Sequence, residues 1–303
     1  MKLPALPARI GVAEFDALHD DPAAWREVMV SIAAEHGAGP LRQMEQGTVL
    51  VALLGRQRVI KLYPPFLQDH FEFERAMLAR LGGRLQVHTP MLEAGGTRDG
   101  WPYLVMSQLA GEPLDAVWPA LDEQAKCALL RQLGALAAEV HAQPVGDIEG
   151  LAPRWSEFVH QQRERCAARQ QRTGLPPGLL AQLPNFIQGE LPTGPAVILT
   201  GEYTPMNLLA AGGRLVGMYD FGDGLVGPCQ YDWLGPMVFL AAGHAARREA
   251  FFRGYGAAPD AAQRLALLRL LLLHRYSNLQ VQIALPGWQR AQTFEELAAR
   301  IWP

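Results

Sequence analysis

Two stretches in the second half of the chain place acidic and amide side chains at a suggestive spacing. Glu202 stands on a loop five residues before Asn207, and the apolar residues 208–210 follow. Asp220 comes thirteen residues after Asn207, behind an apolar run and before a glycine turn. Phosphoryl transfer requires a carboxylate that orients and deprotonates the acceptor hydroxyl, and oxygen ligands for Mg²⁺. Either motif alone is common as an Asx-type turn, but both together predict phosphoryl-transfer chemistry.

A lysine and a glutamate in the first part of the chain strengthen this interpretation. Lys61 lies in an apolar strand-like run, one hairpin after the glycine turn Gly47-Thr48 and before an acid-bearing helix. In kinases a third-strand lysine binds the α- and β-phosphates and is held by a glutamate on the following helix. Glu72 and Glu74 are both candidates, and Glu74 is preferred because it leads into Leu81 with the apolar side inward. The alternative is a solvated edge lysine with both glutamates facing water.

The segment after residue 103 predicts a nucleotide-binding hinge. A strand over 103–108 runs into a loop marked by Gly111 and Pro113. In a kinase the carbonyl of Ser107 and the amide of Leu109 would meet the adenine edge. Any strand end could have this composition, because backbone atoms would make the contacts.

The elements that must position these residues follow from hydrophobic periodicity and turn residues. In the first part they form a small sheet with a helix inserted, and in the second part they are mostly helical. The predicted helices cover Asp21-Pro22 to Gly37, 66–81, 122–141, part of 155–172, 260–285 and 293–302. The predicted strands cover 48–54, 58–62, 91–93, 103–108, 196–199, 207–210 and 215–219, with a turn over 95–100.

Composition excludes several classes of protein. The 303 residues carry a net charge of −3, which gives no global argument for nucleic-acid binding. The three cysteines show no C-x-x-C spacing, so neither a disulfide framework nor a zinc site is predicted, and a cytoplasmic location is expected. The first residues lack the apolar core of a signal peptide. The apolar run 265–273 contains Arg269 and is too short to span a bilayer.

Because these motifs follow one another in this order along the chain, the sequence resembles the aminoglycoside phosphotransferase family, a branch of the protein-kinase-like fold. The resemblance is carried by residues 100–106 with 110–114, by 133–141, by 199–209 as a His-Gly-Asp-x-x-x-x-Asn loop, and by 219–223 with 227–232. It implies an α+β, two-lobed fold, with a small antiparallel-sheet N-lobe over 1–109 and a mostly helical C-lobe over 110–303.

The resemblance also implies the roles of individual residues. ATP would be bound with the help of Gly47, Lys61, Glu74, Ser107 and Leu109. Asn207 and Asp220 would hold Mg²⁺ and act in catalysis with Glu202. Asp232 would brace the catalytic loop, and Asp223 would add a metal or substrate contact.

Two departures from the family pattern leave alternatives open. Thr200 replaces the loop histidine, and Glu202 replaces the catalytic aspartate and adds a methylene group.

The leading hypothesis is a kinase of small-molecule hydroxyl groups. A nucleotide-binding pseudokinase acting through a partner is the alternative. A protein kinase is disfavoured, because the short segment from Asp220 to Asp232 leaves little room for an activation loop and peptide platform.

The charge of the second part of the chain indicates what charge the phosphoryl acceptor would carry. Residues 151–303 hold 14 arginines, no lysine and 11 acids, and eight of the arginines lie within 240–303. A net-basic region repels a polycation and would bind it weakly. The sequence therefore predicts a neutral or anionic small-molecule acceptor, neither nucleic acid nor membrane as a partner, and a contribution of residues 274–278 on a long helix to the pocket.

Overall fold

The computed structural model describes residues 6–45, 47–260 and 263–303, which form two compact units. The first unit contains the described residues up to Ala110 together with Met218–Asp223. Its elements are α1 (Val12–His19), α2 (Pro22–Glu35), β1 (Leu41–Glu45), β2 (Leu50–Leu54), β3 (Arg58–Leu62), α3 (Gln68–Leu81), β4 (Leu92–Arg98) and β5 (Trp101–Ser107).

The five strands of the first unit form one antiparallel sheet in the order β1-β2-β3-β5-β4. Side chains alternate between the two faces of a strand. Ile60 and Leu62 of β3 therefore share one face, where they join a core that includes Trp25 and Ile32 of α2. Lys61, between them, points to the opposite face.

The second unit, Gly111–Gly217 and Gly224–Pro303, is mostly helical. Its elements are β6 (Glu112–Pro113), α4 (Leu114–Val117), α5 (Glu123–His141), α6 (Trp155–Arg172), α7 (Pro177–Phe186), β7 (Ala196–Leu199), β8 (Leu208–Ala211), β9 (Arg214–Met218, whose last residue belongs to the first unit), β10 (Leu225–Pro228), α8 (Gln230–Gly235), a π-helix (Pro236–Leu240), α9 (Ala245–Tyr255), α10 (Gln263–Leu272), α11 (Leu279–Gln282) and α12 (Phe294–Ile301).

Helices α5 and α9 pack closely because glycines stand where they cross. A Cβ atom on Gly134 of α5 would collide with the carbonyl oxygen of Phe251, and one on Gly254 of α9 with that of Arg131. The backbones therefore meet directly, and larger residues would force the helices apart. This packing supports the buried end of α5, where His141 lies.

The predicted α+β class is confirmed, with an antiparallel sheet in the first part of the chain and a mostly helical second part. No helix built from the described residues is long and apolar enough to cross a membrane. The helix predicted to begin at Pro22 starts there, with Asp21 accepting a hydrogen bond from the amide of Ala23 at 3.2 Å.

Two sequence predictions are wrong. The turn over 95–100 is only Asp99-Gly100, because 95–98 continue β4. Asp99 and Gly100 both have positive φ, at 53° and 86°, as in a two-residue hairpin turn. The long helix over 260–285 is broken: α10 ends at Leu272, residues 274–278 form a turn, and α11 follows. Positions 261 and 262 of that prediction lie outside the described residues.

Candidate active site

Lys61 of β3 stands at the centre of a buried ionic cluster in the first unit. Its Nζ donates to Glu74 Oε1 at 2.7 Å and Oε2 at 3.0 Å, and to Asp220 Oδ1 at 2.7 Å. Tyr63 donates its hydroxyl hydrogen to Glu74 Oε2. The structure thus forms the Lys61–Glu74 pair that the sequence predicts, and it adds Tyr63, which sequence reasoning missed.

Local structure explains why these groups converge. Glu74 lies on the buried stripe of α3 with Met77, Leu78 and Leu81, at i+3, i+4 and i+7. Glu72 is less buried and accepts a hydrogen bond from Gln68. The stripe brings Glu74, and not Glu72, to the face of the sheet on which Lys61 lies.

Asp220 has an unusual backbone. Its φ is 69°, in the left-handed region that non-glycine residues rarely adopt. Such conformations cost of order 1–3 kcal/mol and cluster at functional sites. Asp220 is therefore held in a strained conformation, with its carboxylate accepting from Lys61.

Burial and charge set the protonation of the cluster. Burial by itself would lower the pKa of Lys61, but the charges of Asp220 and Glu74 outweigh burial and raise that pKa above its usual value. Burial raises the pKa of Glu74, an effect that the charge of Lys61 opposes. Burial and the charge of Glu74 also raise the pKa of Tyr63 well above its usual value. Lys61 is therefore a cation at neutral pH.

The cluster opens into a small cavity of about 40 Å³. Gly47 lines it, as do Asp223 and His70, whose Oδ1 and Nδ1 lie 3.4 Å apart. A Cβ on Gly47 would find ordinary contacts, the nearest at 3.6 Å, so space alone does not require glycine there. Gly47, Lys61, Glu74 and Asp220 are thus brought together as lining residues of one cavity.

The two predicted hinge residues lie at the end of β5. The amide of Ser107 donates to the carbonyl of Met91 at 3.0 Å, and its Oγ accepts from the amide of Met91 at 2.8 Å. The amide of Leu109 donates to no acceptor among the described residues. Contact of these backbone groups with adenine stays a prediction.

In the second unit Glu202 and Asn207 contact each other. Asn207 Nδ2 donates to Glu202 Oε2 at 3.2 Å. Asn207 is buried, and the 3₁₀ turn Pro205–Asn207 places it directly before β8. With Nδ2 directed at Glu202, the amide oxygen of Asn207 is left for a different partner.

Asp232 braces the loop that carries Glu202, as predicted. Its buried carboxylate accepts from the amides of Thr200 at 2.9 Å and Gly201 at 3.0 Å. His141 Nε2 lies 3.1 Å from Asp232 Oδ2, and His141 Nδ1 lies 3.0 Å from the hydroxyl of Tyr255. These hydrogen bonds hold the start of the loop in place.

His274 is a second brace that sequence reasoning did not identify. Its Nε2 lies 3.2 Å from the carbonyl oxygen of Gly201, and its Nδ1 accepts from the amide of Tyr276 at 3.2 Å. With Nδ1 accepting this hydrogen bond, Nε2 can donate to the Gly201 carbonyl. The ring also stacks on Tyr231, with centroids 4.6 Å apart. The loop is therefore held from both sides, although Thr200 replaces the histidine of the family pattern.

A pocket of about 260 Å³ lies beside Glu202 in the second unit. Its lining includes His274, Tyr276 and Asn278 from the segment that the sequence singled out. Apolar side chains of α8, the π-helix and α10 form its wall; they are Leu234, Val238, Phe239 and Leu271. Glu202 is therefore a lining residue of a pocket in this unit.

Comparison with known families identifies the chain. The model of the phosphotransferase enzyme family matches residues 40–268, about three quarters of the sequence. The chain belongs to the phosphotransferase enzyme family. As a member of this family it is a kinase, a phosphotransferase with an alcohol group as acceptor. Comparison of the phosphotransferase with curated proteins gives no match.

Solved structures share the fold of this phosphotransferase at low sequence identity. A ternary complex of APH(2″)-IIa with streptomycin and ATP is 18% identical, with a TM-score of 0.58 over 82% of this chain and 90% of that one. A GDP and kanamycin complex of APH(2″)-IIIa is 18% identical, with a TM-score of 0.62 over 82% and 87%. Macrolide 2′-phosphotransferase MphH from Brachybacterium faecium is 19% identical, with a TM-score of 0.58 over 80% and 87%. These similarities confirm the predicted kinase-like fold.

Proposed function

We propose that this phosphotransferase uses ATP and Mg²⁺ to phosphorylate a hydroxyl group of a small molecule, with Glu202 as the catalytic base. The observation that carries the proposal is the buried cluster of Lys61, Glu74 and Asp220, in which one cation is held by two carboxylates. Similar structures that contain ATP with streptomycin, or GDP with kanamycin, support nucleotide use and a small-molecule acceptor.

Lys61 is the phosphate-binding group of the proposal. Glu74 is 1% exposed and holds the ammonium in position, while Tyr63 holds Glu74. Lys61 can then exchange its contact with Asp220 for the α- and β-phosphates without losing its link to Glu74. The amide of Leu109 and the carbonyl of Ser107 would contact the adenine edge, and Gly47 would lie near the phosphates.

Asp220 and Asn207 are the residues that would bind the magnesium ion of this proposal. Mg²⁺ prefers one or two carboxylate or amide oxygens and completes its shell with water and substrate phosphates. Asp220 offers a carboxylate whose side chain is 38% exposed and whose partner among the described residues is Lys61. Asn207 offers an amide oxygen. The described part of the chain contains no cluster of three or more His, Cys, Asp or Glu that could hold a metal ion by itself. When bound, the ion would neutralise charge on the transferring phosphoryl group.

Glu202 would orient the acceptor hydroxyl and take its proton. The acceptor oxygen forms a bond to the γ-phosphorus, the bond from that phosphorus to the β,γ-bridging oxygen breaks, and ADP leaves. The hydrogen bond from Asn207 Nδ2 restrains one oxygen of the Glu202 carboxylate. Bracing of the preceding residues by Asp232 and His274 fixes the backbone from which the longer glutamate side chain reaches.

The proposal is tested by measuring ADP release with a panel of hydroxylated small molecules and aminoglycosides, with Glu202→Gln and Asp220→Ala in parallel. We expect turnover with at least one acceptor and its loss in both variants. Magnesium-dependent ATP binding without turnover on any acceptor would favour the pseudokinase alternative. Phosphorylation of peptides in preference to small molecules would favour a protein kinase.

A further inference from the structure

We propose that the acceptor is a compact, uncharged alcohol with an apolar ring or chain, and that it binds in the 260 Å³ pocket beside Glu202. This inference rests on the proposed function, because it names the substrate class of the same enzyme. Four properties of the pocket carry it: its charge, its apolar rim, the unpaired polar atoms of its wall and its size.

The charges in the lining disfavour both polycations and anions. Its described lining residues include no lysine or arginine, and its acids are Glu202 and Asp232. Asp232 is 1% exposed and is occupied by Thr200, Gly201 and His141. Glu202 alone cannot balance several ammonium groups, and an anion would meet no lysine or arginine among the described lining residues.

The described lining of the Glu202 pocket includes none of the arginines of the C-terminal region. Arg248, Arg253 and Arg264 line a different cavity, of about 530 Å³, and the described lining residues of the two cavities do not overlap. The net-basic composition of residues 240–303 is therefore no guide to the acceptor. Of the two acceptor classes predicted from the sequence, the neutral class fits the pocket.

The mouth of the pocket is lined by apolar side chains that are unusually exposed. Met206, Tyr276 and Val281 are 49%, 42% and 68% exposed. A single exposed hydrophobic residue is ordinary, but three around one opening mark a binding surface for an apolar group. An acceptor with an apolar body would cover them when its hydroxyl reaches Glu202.

Polar atoms in the wall offer a small number of directional contacts. Thr204 Oγ1 and Asn278 Oδ1 are buried and have no hydrogen-bond partner among the described residues. Buried polar atoms are normally paired, so an unpaired one calls for a partner that the protein does not supply. Small adjustments of these side chains would let them bond hydroxyl groups of the acceptor and orient it.

The volume restricts the size of the acceptor. Pockets for drug-sized ligands generally enclose about 300–1,000 Å³, and this one lies just below that range. Multi-ring aminoglycosides and macrolides are larger than the pocket can enclose. A single ring with short substituents matches both the volume and the few polar groups.

The test uses a pair of opposite charges at one exposed position. KM is measured by ADP release for phenyl β-glucoside and cyclohexane-1,2-diol as neutral probes, kanamycin as a polycation and glycerol 3-phosphate as an anion. Variants Val281→Asp and Val281→Lys are compared with the wild type. We expect the neutral probes to give the highest kcat/KM, and both variants to raise their KM by about tenfold with little change in kcat.

The controls separate the failure of this inference from the failure of the proposed function. Val30→Asp and Val30→Lys place the same charges on α2, where Val30 is 46% exposed, and should leave KM unchanged. Opposite shifts of KM in the two Val281 variants would show a charged acceptor and overturn the inference. If no alcohol is phosphorylated, the binding of phenyl β-glucoside is measured by calorimetry. Binding that both Val281 variants weaken would support the pocket assignment, although the kinase proposal would fail. If phenyl β-glucoside does not bind, both proposals are overturned.

Discussion

Lys61 illustrates how a single side chain combines stability with function. Its ammonium is buried, and it is tolerated there because Glu74 and Asp220 surround it. A buried ion pair contributes little net stability, but removing one partner leaves an uncompensated charge. The Lys61–Glu74 pair could be predicted from the order of a glycine turn, a strand lysine and an acid-bearing helix, and from the inward apolar side of that helix. The left-handed backbone of Asp220 could not be, because no local pattern encodes it.

We expect Lys61→Met to destabilise the protein by about 3–5 kcal/mol near pH 8, and by less near pH 5. Burial holds the pKa of Glu74 above its unfolded value of about 4.3. A carboxyl of this kind favours folding fully below its unfolded pKa, and that contribution is lost as the pH rises through its folded pKa. Without the charge of Lys61 beside it, the ionised Glu74 therefore lowers the free energy of unfolding more at the higher pH. Urea unfolding at the two pH values measures the difference.

A matched double variant provides the control for this experiment. Lys61→Met with Glu74→Gln removes the buried carboxylate as well, so most of the pH dependence should disappear. A loss of stability in Lys61→Met that is equal at both pH values would contradict the interpretation.

At the scale of elements, the sequence predicted what depends on local rules and missed what depends on tertiary contacts. The caps of α2 and α5 follow from Asp21 and Asp122, each of which accepts a hydrogen bond from an amide of its own helix. The end of α10 has another cause. The carbonyl of Leu272 accepts from Arg169 and Gln170 of α6, more than 100 residues earlier. The apolar periodicity continues past this point, so the sequence alone predicted one unbroken helix.

The α5–α9 crossing gives a prediction at this scale. Gly134→Ala would place a Cβ against the carbonyl of Phe251, and backbone cannot yield as a flexible side chain can. We expect a loss of at least about 2 kcal/mol in the free energy of unfolding, measured by urea denaturation. Gly178→Ala in α7 is the control, since nothing lies within 4 Å of its Cβ position, and it should be neutral or slightly stabilising. Equal effects of the two substitutions would contradict direct backbone packing.

At the scale of the molecule, each of the two units holds some of the residues that the sequence analysis singled out. Lys61, Glu74 and Asp220 belong to the first, while Glu202, Asn207 and Asp232 belong to the second. The sequence predicted their order and the family, because both depend on motif spacing. It could not predict His274 as a brace for Gly201, since 73 residues separate them. Nor did it predict that no arginine would be among the described lining residues of the Glu202 pocket, because counting charges does not tell where they lie in the fold.

Nucleotide binding should be visible in the stability of the whole protein. A ligand that binds only the folded state at 100 times its Kd adds about 2.7 kcal/mol. We expect Mg²⁺ with ATP to raise the melting temperature by several degrees, and Asp220→Ala to remove most of this increase. A scanning fluorimetry series with ATP alone, Mg²⁺ alone and both together makes the measurement. An identical rise with ATP in the absence of Mg²⁺ would contradict the proposed metal role of Asp220.

The most direct test of the central claim is the kcat of Glu202→Gln, measured beside the Kd for ATP on the same protein. Glutamine keeps the size and the hydrogen bond to Asn207 but cannot take a proton. General-base catalysis contributes about 10²–10⁴-fold, so we predict a fall in kcat within that range and an unchanged Kd. Glu202→Asp should also lose about 10²-fold, since retreat of the carboxylate by one methylene misplaces it. A kcat for Glu202→Gln within threefold of the wild type would show that another group takes the proton.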